Sequence, residues 1–221
     1  MSSAVILFFI GLPGSGKGTV GQSLASHGWV HYSTGDQLRS ALKNKDPLAM
    51  RYKDKILKGQ YLPDDVINNL VWQDIASALQ SKKQAIFDGY PRTTSQASFL
   101  YKSLSKNPQW LSRIRFVFFD VSLLTSLERV HRRKVCQVCK FVASADLEKC
   151  LQCHETLSVR ESDRKDRIVE RLKTFVAHAF PAYITLRDQY PECCVSIDAQ
   201  QDKEAVHKRI RDIIHSVKSQ P

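Results

Sequence analysis

Short uninterrupted apolar runs alternate along this chain with stretches where apolar residues recur every three or four positions. The first run, Ala4-Val5-Ile6-Leu7-Phe8-Phe9-Ile10, contains no polar residue. That suits a strand covered on both faces, not one with a side open to water. Shorter runs, mostly apolar but each with at least one polar residue, are Trp29-Val30-His31-Tyr32, Gln84-Ala85-Ile86-Phe87-Asp88, Ile114 to Phe119 and Cys193-Cys194-Val195-Ser196-Ile197. Between them the period changes. Residues 37–45 read as a helix after the start cluster Ser33-Thr34-Gly35-Asp36. Ile67, Leu70, Val71, Ile75, Ala78 and Leu79 mark a second, with Asp64 as its cap and Lys82 and Lys83 at its C-terminal end. Ser122 opens a third through Leu123, Leu124, Leu127 and Val130. Ile168, Leu172, Phe175, Val176 and Ala179 share one face of a fourth, which is expected to end at Pro181. Val206, Ile210, Ile213, Ile214 and Val217 mark a closing amphipathic helix.

Strands alternating with helices predict an α/β fold with a parallel sheet covered on both faces. Ligands of such sheets bind beyond the carboxyl ends of the strands, where Gly11, Ser33, Asp88 and Asp120 fall. Residues 33–62 and 132–163 fit the sheet least and read as excursions from a single core.

The turn after the first strand is Gly11-Leu12-Pro13-Gly14-Ser15-Gly16-Lys17-Gly18-Thr19. Its glycines keep side chains away from backbone N–H groups, which then face an anion together with the following helix N-terminus. Lys17 adds a point charge for the outer phosphates. Gly18 directly follows the lysine and the hydroxyl comes one place later, at Thr19, so either Thr19 or a water meets Mg²⁺.

Composition sharpens this picture. The 221 residues are 43% hydrophobic and 25% charged, as in an ordinary globular chain, with a net charge of +11 that asks for an anionic partner. Nucleic acid, a membrane surface and polyphosphate substrates all qualify, and the phosphate loop favours the last. No run approaches the length that spans a bilayer and no leader pattern is visible, so a cytoplasmic location is expected.

Four of the six cysteines form two pairs, Cys136-Gln137-Val138-Cys139 and Cys150-Leu151-Gln152-Cys153. Each pair can present two thiolates on one knuckle, and two knuckles close a tetrahedral S₄ site with no open position. A structural metal there supplies folding energy that so short an insert cannot draw from a core. Zn²⁺ is the first expectation; iron or a redox disulfide pair are the alternatives. His154 reads as a bystander, and Cys193 and Cys194 as core residues.

The phosphate loop, Ser33-Thr34-Gly35-Asp36-Gln37-Leu38-Arg39, Asp88-Gly89-Tyr90-Pro91-Arg92 and the run from Arg160 to Leu172 occur in this order across the chain. In all four the chain resembles adenylate kinase, of the form whose lid carries a zinc site. The resemblance implies reversible Mg²⁺-dependent transfer, ATP + AMP to two ADP. It implies a P-loop NTPase-type doubly wound five-stranded parallel sheet with two mobile excursions. One domain of residues 1–221 would comprise a core (1–32, 63–131, 164–221), an AMP-binding part (33–62) and a zinc-binding lid (132–163).

By the same resemblance, Gly14, Ser15, Gly16, Lys17, Gly18 and Thr19 bind ATP together with Arg129, Arg133 and Gln201. AMP is held by Thr34, Arg39, Arg92 and Gln96, by the backbone of Gln60, Tyr61 and Leu62, and by Gly89, Tyr90 and Pro91. Arg160 and Arg171 bridge the two nucleotides, and Lys17, Arg92, Arg133, Arg160 and Arg171 carry the catalysis. Asp88 and Asp163 are associated with Mg²⁺. The family usually has two consecutive acids where this chain has Ser162-Asp163, and a glycine where Ala199 and Arg132 stand. The acceptor is already an anion, so the reaction needs positioning and charge cancellation rather than a general base.

The competing expectations are a UMP- or CMP-type kinase, against which Thr34 and the complete cysteine lid weigh, and a zinc-ribbon nucleic-acid-binding protein. Such a ribbon wants exposed aromatics among its basic residues, and between Cys136 and Cys153 only Phe141 qualifies. The expected partners are ATP, AMP and ADP, with no specific nucleic acid, no membrane and a monomeric state.

Overall fold

The computed structural model describes residues 4–81, 83–144 and 146–219. Five strands form its main sheet: β1 (Ile6–Gly11), β2 (Val30–Ser33), β3 (Ala85–Asp88), β4 (Ile114–Asp120) and, last along the chain, β8 (Cys194–Asp198). They pair in parallel in the order β2-β3-β1-β4-β8. The strand order reverses on either side of β1, so the crevice beyond its carboxyl end is the switch point of the fold. The apolar run predicted for β1 is buried along its whole length. Phe8 stacks on Phe87 and packs on Phe116 across the neighbouring strands.

The intervening helices are α1 (Lys17–Ala25), α2 (Thr34–Lys43), α3 (Pro47–Arg51), α4 (Lys53–Lys58), α5 (Asp64–Ser81), α6 (Thr94–Leu104), α7 (Leu123–His131), α8 (Lys165–Thr174), α9 (Phe180–Gln189) and α10 (Lys203–Lys218). The predicted stripes of α5 and α10 are buried, except that Leu70 of α5 is only half-buried. A separate antiparallel sheet, β6-β5-β7, is built from β5 (Arg133–Cys136), β6 (Val142–Ser144) and β7 (Leu157–Ser158). No helix is long and apolar enough to cross a membrane among the described residues.

Four expectations are corrected. Asp64 does not cap α5: it is the first helical residue, and its carboxylate accepts from Thr93 Oγ1 (2.9 Å) and Gln96 Nε2 (2.8 Å). The cluster 33–36 does not precede α2 but starts it, with Ser33 accepting from the Asp36 N–H. On α7 the buried stripe is Ser126 and Val130, while Leu123 and Leu124 are 53% and 67% exposed, because the helix turns its polar serine toward the phosphate loop. The helical run does not end at Pro181. A π-helical turn, Phe175–Ala179, follows α8, and Pro181 then lies in the first turn of α9. Proline cannot donate to the i−4 carbonyl and its ring collides with it. The wider turn, closed by the Phe180 N–H on Phe175 O, relieves that collision. The extra residue rotates the apolar stripe, leaving Val176 exposed. Lys82, expected at the end of α5, lies outside the described residues.

Candidate active site

A cavity of about 960 Å³ opens beyond the carboxyl ends of β1, β2 and β3. Nine lysines and arginines line it against three acids, Asp36, Asp88 and Glu128. An aqueous cleft with that imbalance concentrates polyanions.

Its floor is the phosphate loop. Gly14 has φ +81°, and a Cβ there would lie 2.7 Å from Ser126 O and 2.8 Å from Val130 Cγ2. Only glycine satisfies both the left-handed backbone and the contact with α7. Ser126, fully buried, donates its hydroxyl to Pro13 O and pins the loop from below. Gly16 caps α1 with a left-handed backbone, and Gly14, Ser15, Gly16, Lys17, Gly18 and Thr19 all line the cavity. The Lys17 ammonium donates to Gly11 O and Leu12 O (both 2.7 Å) and to Ser15 Oγ (2.9 Å). Burial pushes its pKa down to about 8; Asp88 opposes this, and Arg92, Arg133 and Arg171 reinforce it. A Cβ on Gly18 would point at Asp88 Oδ2 from 4.0 Å. That is ordinary contact distance, so nothing in the local packing accounts for the glycine after the lysine.

Burial alone would raise the Asp88 carboxyl, but His31, Lys17 and Arg92 together hold it below the usual carboxylate range. His31 Nε2 stands 3.9 Å from Asp88 Oδ2, too far for a hydrogen bond, and has no other partner. Asp88 and the Thr19 hydroxyl are the oxygen donors that could hold Mg²⁺ beside the loop, and their hard-ligand chemistry suits that ion.

The opposite wall is arginine-rich. Arg39 donates to Asp36 (2.6 Å), and Arg160 lies 3.7 Å from the same carboxylate. Arg92 sits over the Tyr61 ring, 5.5 Å from its centroid. Gly89, at φ +87°, makes room for it: a Cβ would lie 2.4 Å from Arg92 Nη2. Asp163, its side chain wholly buried, binds Arg133 through Nε (3.0 Å) and Nη2 (2.6 Å) and also accepts from Arg171 Nη1. Burial would raise its carboxyl, yet Arg133, Arg171 and Arg160 win and lower it. Arg160 and Arg171 are pushed down to about 10, first by burial and then by neighbouring guanidiniums, with Asp163 opposing. Ser162, where a second acid was expected, accepts from Arg171 through its carbonyl (3.1 Å) and hydroxyl (3.3 Å). At the far end Arg129 donates to Ala199 O (2.7 Å), and Gln201 lines the cavity beside them. The chain thus passes the cavity there with alanine in place of glycine.

Several predicted residues stand behind the wall. Gln60, Tyr61, Gly89, Pro91 and Arg92 line the cavity; Thr34, Leu62, Tyr90 and Gln96 are buried outside its lining. Tyr90 donates to Asn68 Oδ1 (2.8 Å). Gln96 accepts from the Arg92 N–H (2.8 Å) and donates to Asp64, so contact with a base would require it to give up one of these bonds. Sequence reasoning assigned no role to Asp36, His31 or Ser126. Asp36 had a signal, being the one acid in the motif that ends at Arg39; Ser126 had none, since its role rests on the packing of α7.

In the small sheet Cys136, Cys139, Cys150 and Cys153 bring their sulfurs within 4.8 Å of one another. The nearest pairs are 3.4–3.5 Å apart, far longer than a disulfide bond. A tetrahedral ion with metal–sulfur bonds of about 2.3 Å needs sulfurs roughly 3.8 Å apart, so the four thiols fit Zn²⁺. His154 is not in the cluster. Phe141 is half-buried and packs against the cysteine-lined core of this sheet, so it is not displayed for stacking on bases.

The model of the adenylate kinase family matches residues 9–190. Curated relatives agree. The adenylate kinase of Chlamydia caviae is 36% identical over 187 residues, covering 82% of this chain and 85% of that protein. That of Mycoplasma mobile is 33% identical over 179 residues, 76% of this chain and 80% of its own. That of Thermosipho melanesiensis is 31% identical over 215 residues, 94% and 98% respectively. With a parallel sheet, a phosphate loop at its switch point and a cation-lined cavity in the matched region, the chain belongs to the adenylate kinase family.

Proposed function

We propose that the protein catalyses ATP + AMP to two ADP, with the donor phosphates on the loop at residues 11–19 and the acceptor against residues 33–62. The observation that carries this reading is the cavity itself: cations from the loop, the core, α2 and the lid converge on one space large enough for two nucleotides. An oxygen of the AMP phosphate attacks the γ-phosphorus. The bond from that phosphorus to the bridging oxygen breaks, and its electron pair leaves with the β-phosphate. Lys17, Arg92, Arg133, Arg160 and Arg171 neutralise the charge spread over the transferring group, and planar guanidiniums do so bidentately.

In this reading Arg129, Arg133 and Gln201 hold ATP. Arg39, Arg92, the backbone at Gln60 and Tyr61, and Gly89 to Pro91 hold AMP. Thr34, Leu62, Tyr90 and Gln96 support that wall from behind. Asp88 holds Mg²⁺, which would polarise the phosphates, while Asp163 organises Arg133 and Arg171. Residues 132–163 act as a lid on Zn²⁺ and residues 33–62 as the acceptor arm, closing to expel water. The proposed state is a monomer in the cytoplasm, a reducing compartment that keeps the four clustered thiols available to a metal.

A coupled assay across nucleoside monophosphates tests the reading. ADP should form from ATP and AMP, and an Arg92→Lys variant should lose about a hundredfold or more in kcat/KM for AMP. A preference for CMP or UMP would overturn the acceptor assignment.

A further inference from the structure

A polar side chain of the core reaches across into the cysteine lid. Gln22 lies on α1, five residues beyond Lys17. Its Nε2 donates to Lys140 O (2.5 Å) and its Oε1 accepts from the Val142 N–H (3.4 Å). These two backbone groups flank Phe141, whose own carbonyl turns the other way and accepts from the Cys136 N–H (2.9 Å). Lys140 O and Val142 N therefore share the outer edge of β6, an edge strand of the small sheet. A strand edge offers an alternating acceptor and donor, and a carboxamide presents the complement of both. Gln22 thus takes the place of a neighbouring strand.

The acceptor is itself shaped by the knuckle. Lys140 directly follows Cys139, has a left-handed backbone at φ 64°, and closes the turn by donating its N–H to Cys136 O (3.1 Å). Where its carbonyl points depends on how Cys136 and Cys139 are held. Gln22, Val142 and Ala143 all line the cavity.

We propose that Gln22 is a positioning residue that latches the first cysteine knuckle onto the helix behind the phosphate loop, linking occupancy of the four-thiol site to lid closure over the donor nucleotide. The inference rests on the reading of residues 132–163 as a metal-holding lid. Linkage is reciprocal: if bound zinc favours the latched lid, a ligand that closes the lid must slow zinc loss.

The test uses the full chain loaded with zinc and a bisubstrate analogue, two adenosines joined by five phosphates. Zinc release to a chelating dye after thiol modification is timed with and without the analogue, and amide exchange is followed at Val142. In the unaltered protein the analogue should slow release and protect that amide. Gln22→Met keeps side-chain length and helix propensity but removes both bonds. With analogue bound it should release zinc about 3- to 10-fold faster and lose the Val142 protection. Its KM for ATP should rise by a similar factor at unchanged KM for AMP, as expected for two ordinary hydrogen bonds. Gln22→Glu can still accept from Val142 but repels Lys140 O, and should fall between the two. Release and protection in both variants matching the unaltered protein would overturn the latch, as would equal rises in KM for ATP and AMP. If the unaltered protein makes no ADP, the functional reading fails; analogue-slowed zinc release that depends on Gln22 would still support the latch.

Discussion

At the scale of single residues the site works against the stability of its own charges. Lys17 is held at a pKa of about 8 chiefly because burial disfavours its ammonium form. Below that pH the buried charge lowers stability; as pH rises from about 8 toward the unfolded value near 10.5 the penalty is released. Activity should run the opposite way. In the free enzyme kcat/KM for ATP should fall above about pH 8, by up to tenfold per unit, as the loop loses its point charge. A pH profile of the unaltered protein against Lys17→Met checks this: the variant should be nearly inactive, with no inflection near pH 8. Asp163 has the reverse sign. Its carboxyl is lowered by Arg133 and Arg171 despite burial, so it adds stability above the ordinary carboxylate pKa and loses it as pH falls through its own. Asp163→Asn leaves two partly buried guanidiniums facing each other. It should cost about 3 kcal/mol at pH 7 by urea unfolding, and the gap to the unaltered protein should close in acid.

At the scale of elements, what was legible in the sequence is what a local period can report. β1 and α10 were readable because their burial is uniform along a strand or a stripe. The helices α3, α4 and α6 were not expected, since α3 and α4 are five and six residues long and α6 begins at a cap, Thr93, whose partner Asp64 is remote in sequence. The π-helical turn was illegible for another reason: Pro181 announces a break, and only packing decides whether the chain leaves the helix or widens it. The cysteine insert sits between these cases. Its cysteine spacing was explicit, but its core is tiny: Cys136, Ala143, Cys150 and Leu157 are its buried members. Two of those four, Cys136 and Cys150, belong to the four-thiol cluster. Stripping the metal should therefore raise amide exchange across residues 133–158 while β1 and β4 stay protected, and lower kcat/KM for ATP more than for AMP. Hydrogen exchange with and without a chelator measures this, and elemental analysis of the purified protein separates zinc from iron. Unchanged exchange in the stripped protein would sink the structural role of the metal.

The whole molecule carries +11, and its cavity concentrates that excess. Sequence motifs found the arginines, but not that Asp36 and Asp163 hold them apart in two groups, because those contacts join residues more than a hundred positions apart or set one carboxylate between two elements. That division has a measurable consequence. In the free enzyme part of the field is spent internally, on the buried Asp163 and the half-buried Asp36, and the rest faces the entrance. Arriving nucleotides should be steered by the second part, which ions screen over about 10 Å at 0.1 M salt. In the proposed closed state the guanidiniums and phosphates would be within contact distance and partly shielded from solvent, where screening is weak. Raising salt from about 0.05 to 0.5 M should therefore lower kcat/KM for both nucleotides several-fold and leave kcat at saturation nearly unchanged. Arg132, mostly exposed and, among the described residues, paired at 3.9 Å with Asp146, belongs to the steering set. Arg132→Ala should flatten the salt dependence of kcat/KM for ATP without altering kcat. A salt effect on kcat as large as that on kcat/KM would mean that the cavity stays open to ions during transfer, and that the arginines act in water rather than in a closed cage.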